Sequence, residues 1–303
     1  MFTLIFPHLL RSEHEQLPEL NIPTFNHLLR HAQFQAAPKS TAELYQIHLC
    51  DQLAQPQNCA YASPINQQMG MNSVTIQHGA ALAITAAEAQ TLCDGLNQLY
   101  GADAHFHPIR PDLWQIQFPQ NIDWQVENIF NLNQLLDPNE AAADWLQLAT
   151  ETQMYLHAHP MNQDRKSCPI NGLWIWNAPS HAPAFQPAAK IASDSAWISH
   201  SSQDCAAIPT DFQTWQRDCA EQNIDLSATK IFSETFVHAA DTYSYAEQWA
   251  NWERNFFAPI AAALQSGSLK QMKIVCEQGE LCFQKPKAWA FWKPEKVFDG
   301  KKF

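Results

Sequence analysis

Short apolar runs with a period near two exchange repeatedly along this chain with stripes of period 3.6. That exchange predicts strands interleaved with helices. Leu113 to Phe118 (LWQIQF) alternates apolar and polar positions and predicts a half-buried strand. Leu173 to Trp176 (LWIW) is apolar throughout and predicts a buried one. Trp145, Leu148, Ala149, Thr152 and Leu156 fall at i, i+3, i+4, i+7 and i+11, one face of a helix. That helix must end near His157, because Pro160 pushes His159 out of helical geometry.

Capping and turn residues place the other elements. Thr85-Ala-Ala-Glu88 is a capping box opening a helix that carries Leu92, Leu96 and Leu99 inward and stops near Gly101. Asp137-Pro138-Asn139-Glu140 opens the helix of the Trp145 stripe. Ser244-Tyr-Ala-Glu247 opens another that reaches Leu264, with Pro259 predicting a kink or break. Weak helical patterns run from Thr24 to Gln33 and from Ser40 to Leu53, and Asp211 to Glu221 forms a further helix. Asn72–Gln77 and Ala81–Ile84 read as strands joined at His78-Gly79-Ala80, and Leu269–Cys276 and Glu280–Gln284 as a hairpin turning at Gln278-Gly279. Ala196–Ser199 and Thr229–Phe232 complete the strands. The alternation predicts an α/β fold, a mixed sheet with flanking helices. Three regions separate, 1–58, 59–177 and 178–303, with no linker long enough to make them independent, so one compact unit is expected.

Composition narrows the function classes. The 303 residues, 46% hydrophobic, can bury one large core or two smaller ones. A net charge of −12 argues against a nucleic-acid groove, which needs clustered Lys and Arg. No stretch approaches the roughly 20 apolar residues of a membrane helix, and the opening MFTLIFPHLL has no basic n-region. The eight cysteines include no C-x-x-C pair, which suggests buried thiols in a reducing compartment and hence a cytoplasmic protein.

Candidate chemistry concentrates between Glu151 and Trp176. His157 and His159, two apart on an extended segment, would face one way and could reach one metal ion; equally, they could hydrogen-bond around the helix end. His105 and His107 repeat the spacing, and the two pairs together could supply four imidazoles to zinc. Arg165 with Asn162 and Asn171 suits a carboxylate or phosphate ligand, against an alternative in which Arg165 pairs with Asp164 or Glu151. Trp174 and Trp176 share a strand face, as core or as a stacking wall. Nucleophilic catalysis has little support: there is no G-x-S-x-G elbow, Cys168 has no activating signature, and Ser193-Asp194-Ser195 reads as a loop. No Walker or G-x-G-x-x-G phosphate loop is present.

The order H-x-H-P-x-N-x-x-R (157–165) followed by P-x-N-x-L-W-x-W (169–176) resembles the RpfE-type regulatory proteins, themselves similar to part of the archaeal-type cofactor-independent phosphoglycerate mutases. Ala62-Ser63-Pro64-Ile65, Phe106-His107 through Trp114, Trp249-x-x-Trp252-Glu253, Pro259-Ile260 and Phe291-Trp292 extend the likeness over most of the chain. The resemblance implies a partial alkaline-phosphatase-like scaffold with an added α+β region. In the mutases it also implies two divalent metals held by Asp and His. This chain has no N-terminal D-G-x-x-D, and Ser233-Glu234 through His238 stands where those enzymes show D-E-x-G-H. Asn177-Ala178-Pro179 replaces family glycines after the W-x-W. The expectation is therefore a regulatory protein without mutase activity and without a cofactor, binding a small anionic ligand or an unknown protein partner around His157, His159, Asn162, Arg165, Asn171, Trp174 and Trp176. The alternative is a zinc- or manganese-dependent phosphomutase or phosphatase with a site rearranged around His105, His107, Glu234 and His238. A third reading makes Trp289, Phe291 and Trp292 a docking surface for a partner protein.

Overall fold

A computed structural model describes residues 1–50, 57–69, 74–124, 126, 143–165, 168–177, 184–195, 197–198, 201–239, 241–285 and 296–303. The strands are β1 (Phe2–Ile5), β2 (Gln33–Ala36), β3 (Cys59–Met69), β4 (Val74–His78), β5 (His105–Arg110), β6 (Leu113–Gln117), β7 (Gly172–Trp176), β8 (Lys190–Ser193), β9 (Cys205–Ala206), β10 (Thr229–Phe232), β11 (Gln271–Cys276) and β12 (Gly279–Gln284). The helices are α1 (Pro23–Leu29), α2 (Thr41–His48), α3 (Ala86–Tyr100), α4 (Ala143–Ala158), α5 (Pro160–Asp164), α6 (Phe212–Glu221), α7 (Thr242–Trp252) and α8 (Ala258–Ser266). They fall into two compact units, Met1–Leu53 with Pro183–Phe303, and Ala54–Ala182. The class is mixed α/β. The N-terminal segment is no region of its own, because β1 is an inner strand of the sheet completed by the last third of the chain.

The first unit holds a seven-stranded mixed sheet in the order β2-β12-β11-β1-β10-β8-β9. β1 runs parallel to both β10 and β11, β10 to β8, and β8 to β9, while β12 and β2 close one edge antiparallel. Parallel strands buried on both faces read as near-continuous apolar runs, and β1 (FTLI) follows that rule. One face carries Phe2, Leu4, Ile231, Met272, Ile274 and Phe283 into a core shared with α1, α6, α7 and α8. Rings dominate that core: Phe25 meets Trp249 and Phe257, each at 4.9 Å, and Phe298 packs on Trp249 at 4.9 Å. Such pairs add about 0.5–1.5 kcal/mol each beyond the area they bury. On the other face Tyr45 of α2 packs on Phe232 at 4.7 Å.

The helix expected to kink or break at Pro259 runs on through it, with its irregularity just ahead of the proline. Residues Glu253–Phe257 make a π-helical turn between α7 and α8, and Pro259 sits in the first turn of α8. The wider turn accommodates a residue that has no amide hydrogen to donate and whose ring would crowd the carbonyl four residues back. Glu253 in that turn accepts the Thr24 and Phe25 amides at 2.6 and 3.0 Å, so it caps α1 from outside its own sequence neighbourhood.

The second unit is an antiparallel sheet ordered β4-β3-β6-β5, with β7 also paired to β3. The Thr85–Glu88 capping box, the LWQIQF strand, the wholly buried β7 and the Trp145 stripe all lie where expected. Five local expectations do not. β4 pairs backward with β3, and residues 79–82 form a 3-10 turn, so no hairpin turns at His78-Gly79-Ala80. Of the strand expected at 196–199, residues 196 and 199 lie outside the described residues and Trp197–Ile198 are in a 3-10 turn; the strand of this region is β8, where Ile191 and Ala192 reach the sheet core. The α1 helix stops at Leu29, because Gln33–Ala36 pairs with β12. Leu99 is exposed. Helix α7 begins at Thr242, because Asp241 accepts the Tyr243 and Ser244 amides and takes the cap expected of Ser244. The cap at 137–140, Ala178-Pro179, Trp289, Phe291 and Trp292 lie outside the described residues. Among the described residues no helix is long and apolar enough to cross a membrane.

Candidate functional site

The run from His157 to Trp176 is built to hold itself. His157 is exposed in the last turn of α4, whereas His159 caps α5, its Nδ1 accepting the Met161 amide at 3.3 Å. The two are therefore not side by side on an extended segment, because α4 continues through Ala158. Asn162 donates to the Leu156 and Ile170 carbonyls and accepts the Ile170 amide at 2.8 Å, tying α5 to the approach of β7. Asn171 exchanges two hydrogen bonds with the Gln67 backbone, at 2.7 and 2.8 Å, and so imitates one more rung of the sheet.

Arg165 is spent in the same way. It pairs with Glu88 at 2.8 Å, rather than with Glu151, and also donates to the Leu82 and Cys168 carbonyls; the Asp164 side chain lies outside the described residues. Burial tends to raise the Glu88 carboxyl, but hydrogen bonds from Thr85 and Arg165 outweigh it and hold the group below its ordinary range. Arg165 thus fastens the N-terminus of α3 to the loop before β7. Trp176 donates to Ser63 Oγ at 3.2 Å and packs on Tyr61 at 4.7 Å; it and Trp174 are both buried.

His105 and His107 do share one face of β5, both exposed. They belong to the second unit, while Glu234 and His238 belong to the first. Among the described residues no three His, Cys, Asp or Glu side chains gather as a metal would require, so the four-imidazole zinc site does not form there. A cleft of about 380 Å³ in the second unit is lined by Tyr100, Trp124, Asp103, Asp144 and Glu151 and holds none of the expected site residues.

The concentrated polar chemistry of the first unit lies elsewhere, at the carboxyl ends of β8 and β10. Open parallel sheets place ligands outside the carboxyl ends of their strands, where the chain leaves the ladder with free backbone groups. Here β8 leads into Asp194-Ser195 and β10 into Ser233-Glu234. Asp194 accepts Ser233 Oγ at 2.9 Å and the Glu234 amide at 2.8 Å, which locks the two strand ends together. Glu234 accepts the Tyr45 hydroxyl at 2.6 Å and the Ser195 hydroxyl on one oxygen, and His238 Nε2 stands 3.2 Å from the other.

Each charge in this network is set by a nameable cause. Burial pushes the Glu234 carboxyl up, but donors from His238, Ser195 and Tyr45 outweigh it and the group stays below its ordinary value. The bond to Glu234 raises the exposed His238 imidazole above its usual 6.5. Burial raises the Asp194 carboxyl, and the nearby Glu234 charge adds to it. Burial and Glu234 together lift the Tyr45 phenol well above its ordinary range, keeping it a donor. Beside Asp194 opens a cleft of about 150 Å³, walled by Trp252 and Phe256 and lined by Ser233, Thr235, Asn251 and Asn255.

The two-metal centre implied by the mutase resemblance does not fit this donor set. Glu234 already accepts three donors, Asp194 is bound to a hydroxyl and an amide, and among the described residues no three His, Cys, Asp or Glu side chains gather as a metal would require. Reasoning from the sequence found Glu234 and His238 but missed Asp194, Ser195, Ser233 and Tyr45. The available signal was a pair of short polar residues directly after each buried parallel strand.

No protein-family model matches the chain, and no curated protein matches it. Among solved structures, the chain is similar to a cofactor-independent phosphoglycerate mutase. That enzyme, from Thermoplasma acidophilum, aligns over 95% of this chain and 90% of its own at 11% identity and a TM-score of 0.39. At that level of likeness no chemistry passes from one protein to the other.

Proposed function

We propose that this chain is a binding protein of the RpfE regulatory type that does not interconvert phosphoglycerates. It holds a small polar ligand at the carboxyl edge of its parallel strands. One observation carries the reading: Glu234, at the end of β10, is already engaged on both oxygens by Tyr45, Ser195 and His238. Three of its roughly four acceptor positions are taken, and a metal bound at those positions would strip the donors and leave buried partners unmatched. The cleft next to Asp194 offers a carboxylate, two asparagine amides and two aromatic walls, a lining suited to a neutral hydroxyl-bearing or amine-bearing molecule.

Metal titration tests the reading. The purified chain is dialysed against manganese or zinc and the bound metal is counted. The proposal expects well under one ion per chain, and no change on Glu234→Gln. Two tightly held ions per chain, lost on Glu234→Gln, would favour the phosphomutase or phosphatase alternative and overturn the proposal.

A further inference from the structure

The opposite edge of the same sheet carries a second polar feature, of opposite charge. Lys230, Thr3 and Lys273 stand in register across β10, β1 and β11, on the sheet face that Tyr45 of α2 packs against. Charged residues in such a row need partners. Lys273 has one in Glu280 at 3.0 Å, and Glu280 also lies 3.8 Å from Lys39. Lys230 has no carboxylate among the described residues. Its ammonium donates to the Gln186 carbonyl and lies 5.0 Å from the centre of the Phe185 ring, and the residue is 4% exposed. A lysine that deep without a counter-ion is costly to keep charged, and burial holds it down to about 8.

A cavity of about 120 Å³ opens beside it, lined by Lys230, His48, Thr3, Thr229 and Gln186. His48 is 2% exposed, and among the described residues its buried Nε2 has no hydrogen-bond partner. Burial and the charges of Lys230, Lys273 and Lys39 hold that imidazole down to about 3, so it stands neutral, with an Nε2 able to donate once in the matching tautomer. The cavity has room for a small oxyanion. A cation lacking a carboxylate, an unmatched imidazole nitrogen and a cavity of that size all meet at one place.

We propose that this cavity is an anion site that takes the oxyanion of a phosphate or carboxylate group, with Lys230 as its charge partner and His48 as its hydrogen-bond donor. The site is independent of the carboxyl-edge cleft, since it uses none of the residues there. An anion seated here supplies the counter-ion Lys230 lacks and satisfies the stranded His48 nitrogen in one step.

Calorimetric titration with inorganic phosphate, and separately with acetate, tests it at neutral pH on the full chain. Saturable one-to-one binding is expected, with the His48 ring signals moving in a histidine-labelled sample. Phosphate binding alone assigns a phosphoryl group, and acetate binding alone a carboxylate. Lys230→Met should weaken binding roughly tenfold or more, because it removes the charge partner, and Lys230→Arg should restore part of it. Lys302→Gln, which removes an exposed charge that does not line the cavity, should leave it unchanged. Lys230→Met removes a buried charge, so the variant should fold; a thermal melt verifies that, and His48→Asn gives a second route. No saturable binding of either anion, or binding that Lys230→Met leaves intact, overturns the proposal.

Discussion

Tyr45, on α2, donates its hydroxyl hydrogen to Glu234, at the end of β10, at 2.6 Å. The two are 189 residues apart in sequence, and both are buried. The bond fastens the helix covering one sheet face to the carboxyl edge where the strands end. It also keeps one oxygen of Glu234 turned inward. Replacing Tyr45 with Phe leaves that carboxylate one donor short, at a cost of about 1–3 kcal/mol. Denaturant unfolding of Tyr45→Phe should show the loss. A double-mutant cycle with Glu234→Gln should show coupling of at least about 0.5 kcal/mol, as expected of groups in one network. Additive effects would mean the bond does not form.

The His238–Glu234 pair gives a pH signature. His238 is raised, so its contribution is full below its ordinary 6.5 and fades as pH climbs through its folded value. Glu234 is lowered, so its contribution is full above its ordinary 4.5 and fades as pH falls through its folded value. The stability difference between the parent and His238→Asn should therefore be greatest between these limits and shrink on either side. The His238 side chain is 68% exposed, so the difference should stay below about 1 kcal/mol after solvent screening. A difference that does not vary with pH would contradict the pairing.

His48 dominates the acid limb. Its folded value lies near 3 and its ordinary value near 6.5, so between them the unfolded chain binds a proton that the folded chain refuses. Stability should then fall as pH drops from 6.5 towards 3, by an amount on the order of 5 kcal/mol. Unfolding free energies measured across that range should be flatter in His48→Asn. An equal slope in both proteins would place the acid sensitivity elsewhere.

Arg165 should behave as a structural residue. Arg165→Ala removes the Glu88 pair and the bonds to the Leu82 and Cys168 carbonyls, and should cost roughly 2–4 kcal/mol. Arg165→Lys should rescue little, since a single ammonium cannot span three acceptors that a guanidinium fork reaches. Thermal and denaturant unfolding measure both. Full stability in Arg165→Ala would return that arginine to the list of ligand-binding candidates.

What could be read in advance depended on the range of the cause. The Thr85 capping box, the Trp145 stripe and the β11–β12 hairpin are set by residues within a few positions, and they fall where the sequence places them. β2 and β8 are not legible in the sequence, because pairing with distant strands, not local propensity, decides them. The site was legible only in pieces for the same reason. Asn162, Arg165 and Asn171 look like ligand contacts in sequence because their type suits ligands; their partners, Ile170, Glu88 and Gln67, appear only in three dimensions. Conversely, Asp194 and Ser195 look like an ordinary loop until β8 is seen lying beside β10.

Turnover of 3-phosphoglycerate tests the central claim most directly. The purified full chain, supplied with manganese or zinc, is incubated with 3-phosphoglycerate, and 2-phosphoglycerate is followed over time. The engagement of Glu234 by Tyr45, Ser195 and His238 predicts no conversion above the protein-free background and no difference between the parent and Glu234→Gln. Conversion at an enzyme-like rate of about 1 per second or faster, abolished by Glu234→Gln, would contradict the account.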